Sequence, residues 1–280
     1  MSSHFFSHTS SVSPSANTYL KIAAISWGAV ALMGQWAFAV YILTIYVIAQ
    51  YRGLDISVFS PGQGAENTSG FSGFVFFLHI LPAIIMAVSV IFQLLPNIRR
   101  RYPLLHRWNG RLFFVLGVSG AITGLYLTWG AGLRFSDIGA IGISVNGVLI
   151  LIAIGFAWHT ARHKRYAEHM RWAVHSFILV NAVWTFRLYL TAWFMVNQGS
   201  NGNSPNLDGP VDIFISFACY LLPMAIVELY FWAKRSKQMH AMLIAAAALS
   251  MGTLITLLGV ISATLMMWMP RINRVIEAIS

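Results

Sequence analysis

The chain has 280 residues, of which 58% are hydrophobic and 9% are charged, and its mean hydropathy is +0.68. Soluble globular domains carry about 25% charged residues, so this composition excludes a soluble domain and predicts an integral membrane protein. The lone cysteine, Cys219, excludes a disulfide framework and a multi-cysteine metal cluster.

Seven apolar stretches are each near or above the roughly 20 residues that a helix needs to cross about 30 Å of hydrocarbon. They cover residues 19–50, 71–95, 112–131, 138–158, 172–195, 211–233 and 241–268. The pattern predicts an all-α integral membrane protein with seven transmembrane helices. We expect a disordered polar tail (1–18), one membrane domain (19–270) with spans two to five as a four-helix core (71–195), and a short C-terminal tail (271–280).

Basic residues are distributed unevenly between the connections. Of the 18 Lys and Arg residues, thirteen lie in connections on one side, four lie on the other, and Arg187 lies inside a span. By the positive-inside rule the N-terminus is cytoplasmic and the C-terminus is outside, in a bacterial inner membrane. Because topology accounts for the positive charge, the expected partner is the lipid bilayer and not nucleic acid.

Two turns on the basic side share the pattern Arg-Tyr-x4-Arg-Trp, at residues 101–108 and 165–172. The spacing of 64 residues also relates span two to span four, which indicates a tandem duplication of one helical hairpin. The alternative is that such turns attract arginine and interfacial aromatic residues independently.

Three motifs suggest a family. Leu-His-Arg-Trp-Asn-Gly-Arg at 105–111, His-x-x-Trp at 169–172 and Arg-Leu-Tyr at 187–189 resemble the bacterial membrane-protein family called domain of unknown function 2306. The resemblance covers roughly residues 71–193 and implies a four-helix core without indicating an activity. The chain departs from the family pattern at Ala173 and His175, where Met and Arg are expected, so a mechanism that depends on His175 would not extend to the whole family.

Polar residues inside the spans form an outer layer. Helix rise places four of them about 12 Å below the outer boundary, namely His79, Thr123, Asn146 and Arg187. A membrane-embedded arginine costs about 2.5–3.5 kcal/mol, so Arg187 needs a partner. Either it reaches the surface and pairs with Asp212 or Asp137, or it joins His79 in a pocket for an anionic or carbonyl-bearing ligand such as a quinone headgroup. In the second case Thr123 and Asn146 supply neutral hydrogen bonds.

An inner layer on the basic side is rich in histidine. His159 and His163 are one helical turn apart, which is the spacing of two ligands for one metal ion. A zinc site needs three or four ligands, and the adjacent turn offers only Glu168 as a carboxylate. The alternative is a solvated basic turn that faces anionic lipid headgroups.

The same layer also suggests a haem site. A b-type haem between helices needs two imidazoles at similar depth and small residues that leave room for the ring. His106 at the start of span three and His175 in span five are the two imidazoles at similar depth. Gly110 is a small residue that leaves room for the ring.

These residues predict a membrane redox protein that binds haem b, a quinone or both. Such a protein would receive electrons from a redox partner protein or as part of a larger membrane complex. The alternative is a non-enzymatic carrier or accessory subunit that binds a lipid or a small anion in the outer pocket. The sequence does not decide whether the protein is an enzyme.

Overall fold

The computed structural model of the protein describes residues 14–59 and 70–280. Of the disordered tail predicted for residues 1–18, residues 1–13 lie outside the described residues. The remaining five already belong to the first helix, Pro14–Ile42.

All regular elements of the described residues are helices. The α-helices are Pro14–Ile42, Ala49–Tyr51, Ile56–Phe59, Gly70–Ile80, Pro82–Leu94, Pro96–Arg101, Pro103–Leu125, Asp137–Arg162, Tyr166–Val180, Ala182–Asn197, Pro210–Ser236, Met239–Ala263 and Met269–Ile279. The π-helical segments are Leu43–Ile48, Tyr126–Gly130 and Thr264–Trp268. Several α-helices begin with proline, whose fixed φ suits the first turn and whose missing N–H is not needed there.

Six helical stretches are long and apolar enough to cross a membrane, and a bent pair of helices passes the same test as one further span. In chain order, spans one to seven are Ser15–Tyr51, Gly70–Val90, Pro103–Gly130, Asp137–Arg162, the bent pair Tyr166–Val180 and Ala182–Asn197, Pro210–Ser236, and Met239–Ile279. The prediction of an all-α membrane protein is thereby confirmed. The described residues give six spans, and seven when the bent pair, whose halves meet at 54°, is counted as span five.

The spans pack in a simple order. Spans two, three, four and five each contact the next in sequence, and span seven packs against spans one, five and six. Close approach of span seven to span five depends on Gly259, because a Cβ there would lie 2.6 Å from Leu188 Cβ.

Spans one and seven are longer than a membrane is thick. Their 37 and 41 residues correspond to about 55 and 61 Å of helix, against about 30 Å of hydrocarbon. Both run past the end opposite the arginine-rich turns, where they share a core with Ile56 and Phe59. The residues predicted as a C-terminal tail form the helix Met269–Ile279, in which Val275 is fully buried in that core.

The bend in span five is built on Asn181. Its side chain Nδ2 donates to the Phe177 carbonyl at 2.8 Å, so an asparagine holds the end of the first half. Asn146 of span four donates to the Leu179 carbonyl at 3.1 Å, beside the same bend. Side chains that satisfy backbone groups at a break stabilise a sharp kink without proline.

Candidate functional site

Two of the predicted outer-layer residues meet directly. His79 Nδ1 lies 3.0 Å from Thr123 Oγ1, which joins span two to span three. The Thr123 hydroxyl donates its proton to the Ser119 carbonyl at 2.6 Å. It therefore accepts a hydrogen bond from Nδ1–H of His79, and Nε2 keeps a lone pair. Gly124 makes room for the ring, since a Cβ there would lie 3.0 Å from His79 Cε1.

Arg187 lies on the second half of span five. One guanidinium nitrogen donates to the Val183 carbonyl at 3.1 Å, and the guanidinium carbon lies 5.7 Å from the ring centre of Phe38 in span one. Within residues 14–59 and 70–280 no carboxylate forms an ion pair with Arg187.

The carboxylates considered for Arg187 have other partners. Asp137 forms an ion pair with Arg134. Asp212 accepts hydrogen bonds from Asn203 Nδ2 at 2.6 Å and from the Ser204 backbone N–H at 2.8 Å. The interpretation that pairs Arg187 with either carboxylate is therefore wrong.

Further hydrogen-bond donors surround Phe38. Trp184 and Trp268 belong to one hydrophobic cluster, and Phe38 packs against it with its ring centre 5.7 Å from that of Trp268. Gln35 precedes Phe38 by three residues and so lies on the same helix face. Gln35 Nε2, Trp184 Nε1 and Trp268 Nε1 are buried, with no hydrogen-bond acceptor in the described part of the chain. Together with Arg187 they place four donors on spans one, five and seven, which pack together, and three of the four have no acceptor among the described residues.

Asn146 is oriented towards a different feature. Its Nδ2 donates to the Leu179 carbonyl beside the bend of span five, eight residues before Arg187 in the chain. The structure thus joins His79 to Thr123, places Arg187 over Phe38 of span one and uses Asn146 at the bend.

In the inner layer His175 is bound to a carboxylate. Its Nε2 lies 2.6 Å from Glu228 Oε1, and the imidazole side chain is only 6% exposed. Arg171 binds the same carboxylate with two nitrogens, each at 2.6 Å. Glu228 of span six therefore bridges two residues of span five.

His106 faces a different helix. Its carbonyl accepts a hydrogen bond from Gln93 Nε2 at 3.0 Å, in the helix Pro82–Leu94 that continues span two. Gly110 also faces Gln93, whose amide would lie 3.7 Å from a Cβ at that position. His175 directs Nε2 at Glu228 of span six and not towards His106, and Nδ1 of each of the two histidines is buried without a hydrogen-bond partner in the described part of the chain.

His159 and His163 are adjacent, with ring centres 4.2 Å apart. His163 Nδ1 lies 2.8 Å from the His159 carbonyl, where it donates and caps the end of span four. Across the described ranges no group of three or more His, Cys, Asp or Glu side chains is placed to hold a metal ion. His159 and His163 therefore have no third side chain among the described residues with which to hold a metal ion.

The family described as a predicted membrane protein (DUF2306) matches residues 76–231, which is more than half of the 280 residues. The chain belongs to the DUF2306 family. The DUF2306 match begins in span two, inside the range 71–193 of the sequence resemblance, and extends past the end of that range into span six. It contains His79, Arg187 and Glu228, whereas Gln35 and Trp268 lie outside it. No curated protein and no solved structure matches the chain.

Sequence reasoning missed two features of this DUF2306 protein. Glu228 is 53 and 57 residues away from His175 and Arg171, so no local motif links them. In the sequence Glu228 stood out only as a carboxylate near the end of an apolar span. The buried tryptophans also gave no signal. Trp268 ends a predicted span, where tryptophan is typical of a lipid interface, and Trp184 lies within an apolar run, where the sequence does not show that its N–H lacks an acceptor.

Proposed function

We propose that this DUF2306 protein binds the headgroup of a membrane-soluble quinone in the region around Arg187. The observation that carries the proposal is the excess of donors. Arg187 and the three unpaired donors near Phe38 lie within membrane-crossing helices, and no acceptor among the described residues satisfies those three.

Each buried donor without an acceptor costs about 1–3 kcal/mol. A ligand that brings acceptor oxygens into this region offsets that cost. The carbonyl oxygens of a quinone are acceptors, and its flat ring suits the aromatic surroundings of Phe38, Trp184 and Trp268.

His79 supports the same class of ligand. With Nδ1–H donated to Thr123, its Nε2 offers an acceptor. Arg187 then suits a carbonyl oxygen, and His79 suits a hydroxyl of the reduced ring. In this proposal the protein resides in a bacterial inner membrane with its N-terminus cytoplasmic, and a redox partner protein or larger complex supplies electrons. Haem ligation stays a prediction, and the contacts of His175 favour a hydrogen-bonding role for that residue.

A second candidate function is a carrier or accessory subunit that binds a small anion or an anionic lipid. The observation that favours it is the charge of Arg187, which no carboxylate of the described ranges neutralises. An anion in the same region would provide that neutralisation.

Thermal unfolding of the purified protein in detergent tests both candidates. A short-chain ubiquinone at 100 times its Kd should stabilise the native state by about 2.7 kcal/mol. Arg187→Gln should abolish the stabilisation. Arg187→Lys should weaken it, because an ammonium lacks the planar fork of donors.

Arg134 offers a matched control, since it is an arginine that has its own carboxylate, Asp137, and lies 4.7 Å from the ring centre of Trp129. Arg134→Gln should leave the ligand response unchanged. Stabilisation by inorganic anions or anionic lipid alone would support the carrier, and no ligand response that depends on Arg187 would refute both candidates.

A further inference from the structure

The two Arg-Tyr-x4-Arg-Trp segments have the same sequence pattern, but their arginines are paired differently. In the second segment both arginines are neutralised within the protein. Arg165 forms an ion pair with Glu168, and Arg171 forms one with Glu228.

The first segment has no such carboxylates. The position 64 residues before Glu168 is Leu104, which is 64% exposed. The sequence contains no Asp or Glu between Glu66 and Asp137. Arg101 and Arg107 are exposed and have no ion pair with any described residue, and Arg99, Arg100 and Arg111 add to the same charge.

The aromatic residues of the two segments also differ. Trp108 is 60% exposed, and the guanidinium of Arg111 lies 4.7 Å from its ring centre. Its counterpart Trp172 stacks on Phe156 with ring centres 4.7 Å apart and is partly buried. The first segment therefore directs both its cations and its tryptophan outwards.

The first segment is held on a fixed base. Asn109, which is buried, donates from Nδ2 to the Ser89 carbonyl at 2.9 Å, and Gln93 donates to the His106 carbonyl at 3.0 Å. Both bonds join the start of span three to the helix Pro82–Leu94. A fixed base lowers the entropy that binding would otherwise cost.

We propose that residues 99–111 form a binding surface for the phosphate-bearing headgroups of anionic phospholipids. Exposed tryptophan and tyrosine at the end of a span are typical of the headgroup level. The guanidinium fork binds phosphate oxygens bidentately. The equivalent range 163–175 is less suited to this role, because Glu168 and Glu228 pair with its two arginines and leave only Lys164, against five unpaired arginines in 99–111. The proposal is independent of the quinone site.

Titration of the detergent-purified protein with phosphatidylglycerol and with phosphatidylcholine tests the surface, with bound lipid counted by native mass spectrometry. Phosphatidylglycerol should bind more tightly. Each basic residue near a membrane surface contributes about fivefold to affinity. Arg101→Gln with Arg107→Gln should therefore weaken phosphatidylglycerol binding about 25-fold.

The second segment provides the control. Arg165→Gln with Glu168→Gln removes a neutral pair and should leave lipid binding unchanged. Leu104→Glu installs the missing carboxylate and should weaken binding about fivefold, whereas Leu104→Gln should not. The proposal would be overturned if the protein bound the two lipids with equal affinity, or if both double variants lost the same amount of binding. It would also be overturned if Leu104→Glu had no effect, or if millimolar inorganic phosphate competed fully with the lipid.

Discussion

Replacement of Glu228 by alanine should be among the more destabilising single changes in the protein. The carboxylate accepts three hydrogen bonds of 2.6 Å, two from Arg171 and one from His175. Arg171 and Glu228 are 49% and 32% exposed, so solvent screening limits that ion pair to about 0–1 kcal/mol. His175 is 6% exposed, and its Nδ1 already lacks a partner in the described part of the chain. Loss of the bond at Nε2 leaves a buried ring with no hydrogen bond, at about 1–3 kcal/mol.

The expected loss of unfolding free energy for Glu228→Ala is therefore about 1–4 kcal/mol. Unfolding by SDS in mixed micelles measures it. Glu168→Ala is the matched control. Both side chains of the Glu168–Arg165 ion pair are exposed to solvent, so the pair is worth about 0–1 kcal/mol. His175→Phe combined with Glu228→Leu should recover part of the loss, since neither partner is then left unpaired. Equal destabilisation by Glu228→Ala and Glu168→Ala would refute the reasoning.

Three further outcomes are expected. Gly259→Ala should lower the unfolding free energy by about 1–3 kcal/mol, because the new Cβ would lie 2.6 Å from Leu188 Cβ. Gly155→Ala is the control and should not destabilise the protein, since a Cβ there has no atom within 4 Å. An equal effect of the two variants in SDS unfolding would contradict the packing argument. Asn146→Ala should cost about 1 kcal/mol by removing the hydrogen bond beside the bend, and an unchanged unfolding free energy would show that this bond does not stabilise it. A cysteine at Ser200 should react with an impermeant maleimide from the outer side only, and labelling from the cytoplasmic side alone would reverse the proposed orientation.

Much of the fold follows from one-dimensional patterns. Apolar runs locate the spans, because a helix must be about 20 residues long to cross the membrane. Counting residues from the outer boundary also placed His79 and Thr123 at the same depth, and the structure joins them at 3.0 Å. Depth is predictable since helix rise is constant.

The direction that each side chain faces was not predictable in the same way. Asn146 shares the depth of the outer layer but faces the bend of span five, and a bend of 54° changes which residues face each other beyond it. The sequence marks this bend only with Asn181, without proline. The partners of His175 and Arg187 depend on these rotations. The sequence therefore did not indicate Glu228 as a partner of His175, and it left both a carboxylate pair and a ligand pocket open for Arg187.

The bend in span five has a consequence for how the protein is made. Its halves have 15 and 16 residues, or about 23 and 24 Å of helix each, so neither crosses the hydrocarbon alone. The two halves must therefore enter the bilayer as one unit that carries His175, Asn181 and Arg187. The carboxylate that binds His175 belongs to span six, which is synthesised later. A nascent chain that ends after span five should insert span five poorly. Stable insertion of span five should begin only when Glu228 has emerged from the ribosome.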